Sequence, residues 1–147
     1  MKRKHSIIYN DFSSGISKVI IGTEIGEFTG TANLQESDKD YPSEIFGCSL
    51  AETKAMRAYY IALIKRLKLE AKGMKQICDA IDTSIKITNN HEINCAAKIA
   101  KRNLNKKLVQ IEKIKKTVES LNAYIQYLIK ERDKFIEKKI KSKDKVD

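Results

Sequence analysis

The spacing of apolar residues changes once along the chain, and that change divides it. From Ser6 to Ala32 the apolar positions are β-branched or aromatic and are broken by Gly15, Gly22, Gly26 and Gly30. This pattern predicts three short strands, Ser6–Phe12, Ile16–Gly22 and Glu27–Asn33, joined by turns. The polar stretch Gln35–Ser43 holds the only proline and reads as a loop. Beyond it the period becomes helical. Ser49-Leu-Ala-Glu52 has the form of a capping box and predicts the start of helix one at Ser49. Met56, Tyr60, Leu63, Leu67, Met74, Ile77 and Ile81 then step by three and four, with Glu70 filling one slot. A second apolar face, Ala55, Ala58, Tyr59, Ile61 and Ala62, is confined to the first half and is expected to pack under the strands.

A turn is expected over 83–90, with Asn89 or Asn90 capping helix two and Glu92 suiting its dipole. Helix two runs to about Lys141 with no Gly or Pro. Ala97, Ala100, Leu104, Lys107, Ile111, Ile114, Val118, Leu121, Ile125, Leu128, Arg132 and Phe135 form its seam, in which only Lys107 and Arg132 are polar. The predicted fold is α+β: a small N-terminal antiparallel β cap (1–47), a long antiparallel coiled-coil-like helical hairpin (49–141) and a basic tail (142–147), all one domain. A turn near 86–87 makes paired positions sum to about 173, so Asp82 faces His91 and Leu50 faces Ala123. Helix two then overshoots helix one by roughly 18 residues, or ~27 Å. The overshoot carries Tyr124, Tyr127, Leu128, Ile129, Phe135, Ile136 and Ile140, an apolar run that predicts cover by the cap or by a second subunit. A homo-oligomer is expected.

Charge sharpens this division. Residues 1–85 hold 12 Lys/Arg against 11 Asp/Glu, whereas residues 86–147 hold 17 against 8. The basic half attracts nucleic acid, nucleotides or acidic protein surfaces, or serves only as a solvated coat on a long helix. No apolar stretch approaches the ~18 residues that span a bilayer, so no membrane partner is expected. Ile7-Ile8-Tyr9 is too short for a signal-peptide core, and three widely spaced cysteines do not suggest a disulfide framework. Both features predict a cytoplasmic protein with free thiols.

Candidate chemistry is sparse. His91 and Cys95 share a helical face but lack a third ligand, and Cys78 is expected opposite Cys95; both cysteines read more simply as small packing residues. The only other histidine, His5, has no nucleophile elbow beside it, and no glycine pattern suits a phosphate loop. No enzyme, metal or cofactor is predicted. Binding is better served. Lys54 and Arg57 lie near the expected start of helix one, where free N–H groups and the dipole favour an anion. Phe28, Thr29 and Thr31 come from the adjoining strand, and Tyr124, Tyr127 and Arg132 from helix two, with Arg57 expected opposite Lys116. Aromatic faces for stacking and cations for phosphates suit a nucleotide. The competing reading is that the aromatic residues are core and the cations only snorkel.

The segments Glu27-Phe-Thr-Gly-Thr-Ala32 and Phe46-Gly-Cys-Ser-Leu-Ala-Glu-Thr-Lys-Ala55, with an acidic Pro-containing loop between them, resemble the phage Thoeris anti-defence family. The motif spans roughly a quarter of the chain, and the plan of cap and helical hairpin is similar to that family's decorated-helix fold. The resemblance implies an oligomer that sequesters a cyclic ADP-ribose signal (gcADPR-type) or a cyclic dinucleotide without cleaving it. It implies a ligand held where one subunit's cap meets another's helices. Phe28, Arg57 and Arg132 are assigned to that ligand, with Lys54 where the motif often carries Arg. Lys54 keeps the charge but loses the bidentate fork. The alternative is a basic coiled-coil inhibitor or adaptor that binds nucleic acid or a host defence protein.

Overall fold

The computed structural model describes residues 1–11, 15–33 and 44–146, with the side chains of 44 and 45 outside that description. The loop expected over 35–43 lies outside the described residues. Strands β1 (Arg3–Asp11), β2 (Ile16–Thr23) and β3 (Gly26–Asn33) are followed by helices α1 (Glu44–Ile87) and α2 (His91–Asp144), an α+β fold as expected. No helix among the described residues is long and apolar enough to cross a membrane. The described chain resolves into two compact units, a cap unit (Met1–Tyr60 with Val118–Asp147) and a hairpin unit (Ile61–Thr117).

In the cap unit the strands form an antiparallel meander ordered β1-β2-β3. Gly26, at φ 135°, supplies the backbone that the β2–β3 turn requires, and the Thr23 hydroxyl donates to its carbonyl at 2.7 Å. Side chains alternate between faces. Val19 and Ile21 of β2, with Gly30 and Ala32 of β3, are buried on the α1 side. Ala51, Ala55 and Tyr59 of α1 are 0–1% exposed; of the second apolar face expected in the first half of helix one, Ala55 and Tyr59 are buried and Ala58 and Ala62 half-buried, whereas Ile61 is 40% exposed. A Cβ on Gly30 would stand 1.8 Å from the Ala51 carbonyl oxygen and 2.6 Å from the Ala55 nitrogen, so helix and strand meet backbone to backbone. Ile125 and Leu128 complete this core, with Met56 and Ile129 packed against it.

Four expectations are corrected here. Helix α1 begins at Glu44, not Ser49; Ser49 lies inside it, and its carbonyl accepts the Thr53 hydroxyl at 2.7 Å. The apolar run on α2 finds cover within the chain in part: Phe46 of α1 meets Phe135 with ring centroids 5.8 Å apart, and Leu128 and Ile136 are buried, whereas Tyr124, Tyr127 and Ile140 stay exposed. Residues 124–135 therefore lie beside the first turns of α1 and do not overshoot it. The register is also different: Arg57 bonds Asn122, Glu70 pairs with Lys107 and Asp82 with Lys101, so paired numbers sum to 177–183 and not to about 173. The reason is the turn, which falls at 88–90 once α1 continues to Ile87. Finally, Ile77 is 57% exposed and Cys78 is buried. Ala71 and Cys78 take the positions that the sequence pattern gave to Glu70 and Ile77.

The hairpin unit is simpler. Leu67, Ala71 and Ile111 are buried, with Leu63, Ile64, Leu104 and Ile114 against them. Asn90 caps α2, its side-chain oxygen accepting the Ile93 N–H at 2.9 Å. Lys107 on the seam meets Glu70 at 2.9 Å, which holds the Glu70 carboxyl below its usual range. The twelve seam positions expected on α2 are all buried or half-buried.

Candidate anion-binding flank of the cap

The candidate residues Phe28, Thr29, Thr31, Lys54, Arg57, Tyr127 and Arg132 all belong to the cap unit. Within one chain they do not converge on a single pocket. Strand alternation separates the three from β3: Phe28 is half-buried on the α1 side, whereas Thr29 and Thr31 are exposed on the opposite face. Phe28 packs edge to face with Tyr59, centroids 5.6 Å apart, which is the packing role set against its stacking role. Tyr59 is nearly inaccessible and donates its hydroxyl to the Glu24 carboxylate at the β2–β3 turn. Burial, then the hydrogen bond to Glu24, pushes the Tyr59 phenol well above its usual range. The same bond holds the Glu24 carboxyl below its own.

Lys54 and Arg57 are brought together. Three residues apart on α1, they share a flank of the helix. The Lys54 ammonium donates to the Thr31 carbonyl at 3.1 Å, so Thr31 contributes its backbone and not its hydroxyl. Arg57 donates to the Asn122 side-chain oxygen at 3.0 Å, in place of the expected position opposite Lys116. Both acceptors are neutral. Among the described residues, neither cation meets a carboxylate. The helix dipole does not serve an anion here, contrary to expectation, because Lys54 and Arg57 lie well past the first turn of a helix that begins at Glu44.

On α2, Tyr127 is 55% exposed and stacks on Tyr124, with centroids 6.0 Å apart and rings 21° from parallel. At 3.6 residues per turn, Tyr127 points about 140° around the helix from Asn122, so it does not share the flank of Arg57. Arg132 lies on the seam beside Asp133, 3.4 Å away, with its side chain largely covered. Asn122 and Glu24 carry no signal of their own in the sequence, and Tyr59 reads there only as part of an apolar face. Asn122 became a partner of Arg57 only through the shifted register, and nothing local to Glu24 signals a buried phenol.

Two other candidates belong to the hairpin unit. The exposed His91 and Cys95 stand 3.6 Å apart, Nε2 to Sγ. Among the described residues, no group of three His, Cys, Asp or Glu side chains could hold a metal. The Glu70–Lys107 and Asp82–Lys101 pairs place Cys78 level with positions at least about one turn beyond Cys95, correcting the expected opposition of the two. One exposed face of α2 gathers Lys98, Lys101, Arg102, Lys106 and Lys113. No family model matches the chain, and neither a curated protein nor a solved structure matches it.

Proposed function

We propose that the protein binds and sequesters an anionic cyclic nucleotide, of the cyclic ADP-ribose type or a cyclic dinucleotide, without cleaving it. The observation that carries this reading is the pair Lys54 and Arg57: two adjacent cations held by neutral oxygens, whose charge an incoming phosphate can still use. Tyr127 points about 140° around α2 from Asn122, the partner of Arg57, which supports a site completed by a second subunit, as the resemblance implies. In this reading Tyr127 supplies a stacking face for a base and Phe28 stiffens the cap behind the cations. The setting is evasion of a bacterial nucleotide-signalled defence, in the host cytoplasm.

Isothermal titration of the full chain with cyclic ADP-ribose isomers and with cyclic dinucleotides tests it. Heat is expected with at least one ligand, which chromatography recovers intact after denaturation. Arg57→Met with Lys54→Met should weaken that binding by about tenfold or more, from loss of charge-assisted bonds. No heat from any ligand, or recovery of a cleaved product, overturns the reading.

The basic face of α2 favours a second reading, a contact with nucleic-acid phosphates. Lys98, Lys101, Arg102, Lys106 and Lys113 are presented on one side of a single helix. Lys101 is partly answered by Asp82 at 3.4 Å. Binding of this kind falls steeply with salt through counterion release, so a gel shift that does not respond to salt removes it.

A further inference from the structure

We infer that β1 is a self-recognition edge, through which two copies of the chain join their sheets by antiparallel β1–β1 pairing. The inference stands apart from the nucleotide reading and needs no ligand.

The sheet order β1-β2-β3 leaves β1 hydrogen-bonded on one side only among the described strands. Alternate N–H and C=O groups on its other side point away from β2 and offer a ladder to another strand. Ile7, Ile8 and Tyr9 are 54%, 60% and 55% exposed. Consecutive strand residues point to opposite faces, so apolar surface is left open on both sides of this edge. Ile8 lies beside Val19 on the α1 face, and Ile7 and Tyr9 lie beside Ile20 and Lys18 on the outer face.

Natural edges are blunted by charge, proline or a bulge. Here those devices sit at the two ends of the strand: the register shifts between Arg3 and His5, where Lys4 falls in the irregularity, and Asp11 closes the other end. From Ser6 to Tyr9 the pairing with β2 is regular, and the stretch holds no charged residue and no Pro. That is the window left open.

A second copy fits it by charge. The strand carries Arg3, Lys4 and His5 at one end and Asp11 at the other. An antiparallel copy sets each basic end beside an acidic end, whereas a parallel copy would set like beside like. With the two-fold axis at Ile8, Ile8 faces its own copy, Ile7 faces Tyr9 on the outer face, and Ser6 faces Asn10. Every exposed apolar side chain of β1 then gains an apolar cross-strand neighbour. The result is one continuous six-stranded sheet.

The experiment is sedimentation equilibrium of the full chain at high-micromolar concentration, with helix content followed by circular dichroism. The wild type should be a dimer. Ile8→Lys and Tyr9→Lys replace exposed side chains, so each should keep its helix content and weaken the dimer by more than about tenfold: Ile8→Lys sets two like charges across the pair, and Tyr9→Lys sets an ammonium against Ile7 of the second copy. In a Cys95→Ser background, Ile8→Cys should oxidise to a dimer whose linking peptide joins position 8 to position 8. A monomeric wild type, a dimer unmoved by both Lys variants, or failure of position 8 to link to itself would each overturn the inference.

Discussion

The cap unit and the hairpin unit are both built on α1 and α2, yet they achieve packing by opposite means. In the hairpin unit large side chains fill the space between helices: Leu67 and Ile111 are 5% and 4% exposed, and Leu63, Leu104 and Ile114 surround them. In the cap unit the closest approach involves almost no side chain, because Gly30 lies against the backbone at Ala51 and Ala55. One region is sensitive to atoms removed, the other to atoms added. A helix can therefore carry two packing rules along its length, with the changeover set by where small residues give way to leucine and isoleucine.

The largest effect should come from removing volume in the hairpin unit. Leu67→Ala should cost about 2–5 kcal/mol, read from urea denaturation of the full chain, since both transfer free energy and contacts around the cavity are lost. Next, Gly30→Ala should destabilise the cap unit by about 1–3 kcal/mol, because the new methyl meets backbone and not a movable side-chain tip. The same substitution at Gly73, in the hairpin unit, meets nothing within 4 Å and should stabilise by about 1 kcal/mol through helix propensity. Opposite signs for one chemical change are the sharpest form of the contrast; a stabilising Gly30→Ala would break it. Asn90→Ala, which removes the cap on α2, should cost about 1 kcal/mol.

The pH dependence should be the smallest effect and should also separate the units. The Tyr59 phenol is raised above its ordinary value of 10.0, so its contribution is complete below that pH and is lost as pH climbs through the folded value. Glu70 is depressed below its ordinary value of 4.5 by Lys107. Its contribution is present above that pH and is lost as pH falls through the folded value. Tyr59→Phe should flatten the alkaline limb of stability, and Lys107→Met the acid limb, in thermal melts across pH. Exchange of the two limbs between variants would refute the assignments.

The sequence was most readable where one physical rule acts alone. The α2 seam from Ala97 to Phe135 follows helical period without interruption, and every position in it turned inward. The strands were likewise found to within a few residues, because β-branched runs between glycines have no competing explanation. Errors arose where two rules compete. Ser49 and Glu52 have capping spacing, but a box of that form is equally tolerated inside a helix, and α1 starts at Glu44. Glu70 with Ile77 and Ala71 with Cys78 both satisfy a three-four step, and the smaller pair fits the closer approach. The candidate site inherited these errors. The shifted register moves Arg57 from Lys116 to Asn122, and strand alternation, legible in the sequence alone, puts Phe28 on the opposite face from Thr29 and Thr31.

The contact at Gly30 also bears on how the cap can respond to anything it holds. Side-chain packing yields by rotamer changes, but peptide planes pressed together have no such freedom. Strand and helix are thus fastened as a single stiff plate around Ala51 and Ala55. Any rearrangement on ligand uptake must come from longer side chains at its margin, with Lys54 and Arg57 reaching outward from a frame that stays still.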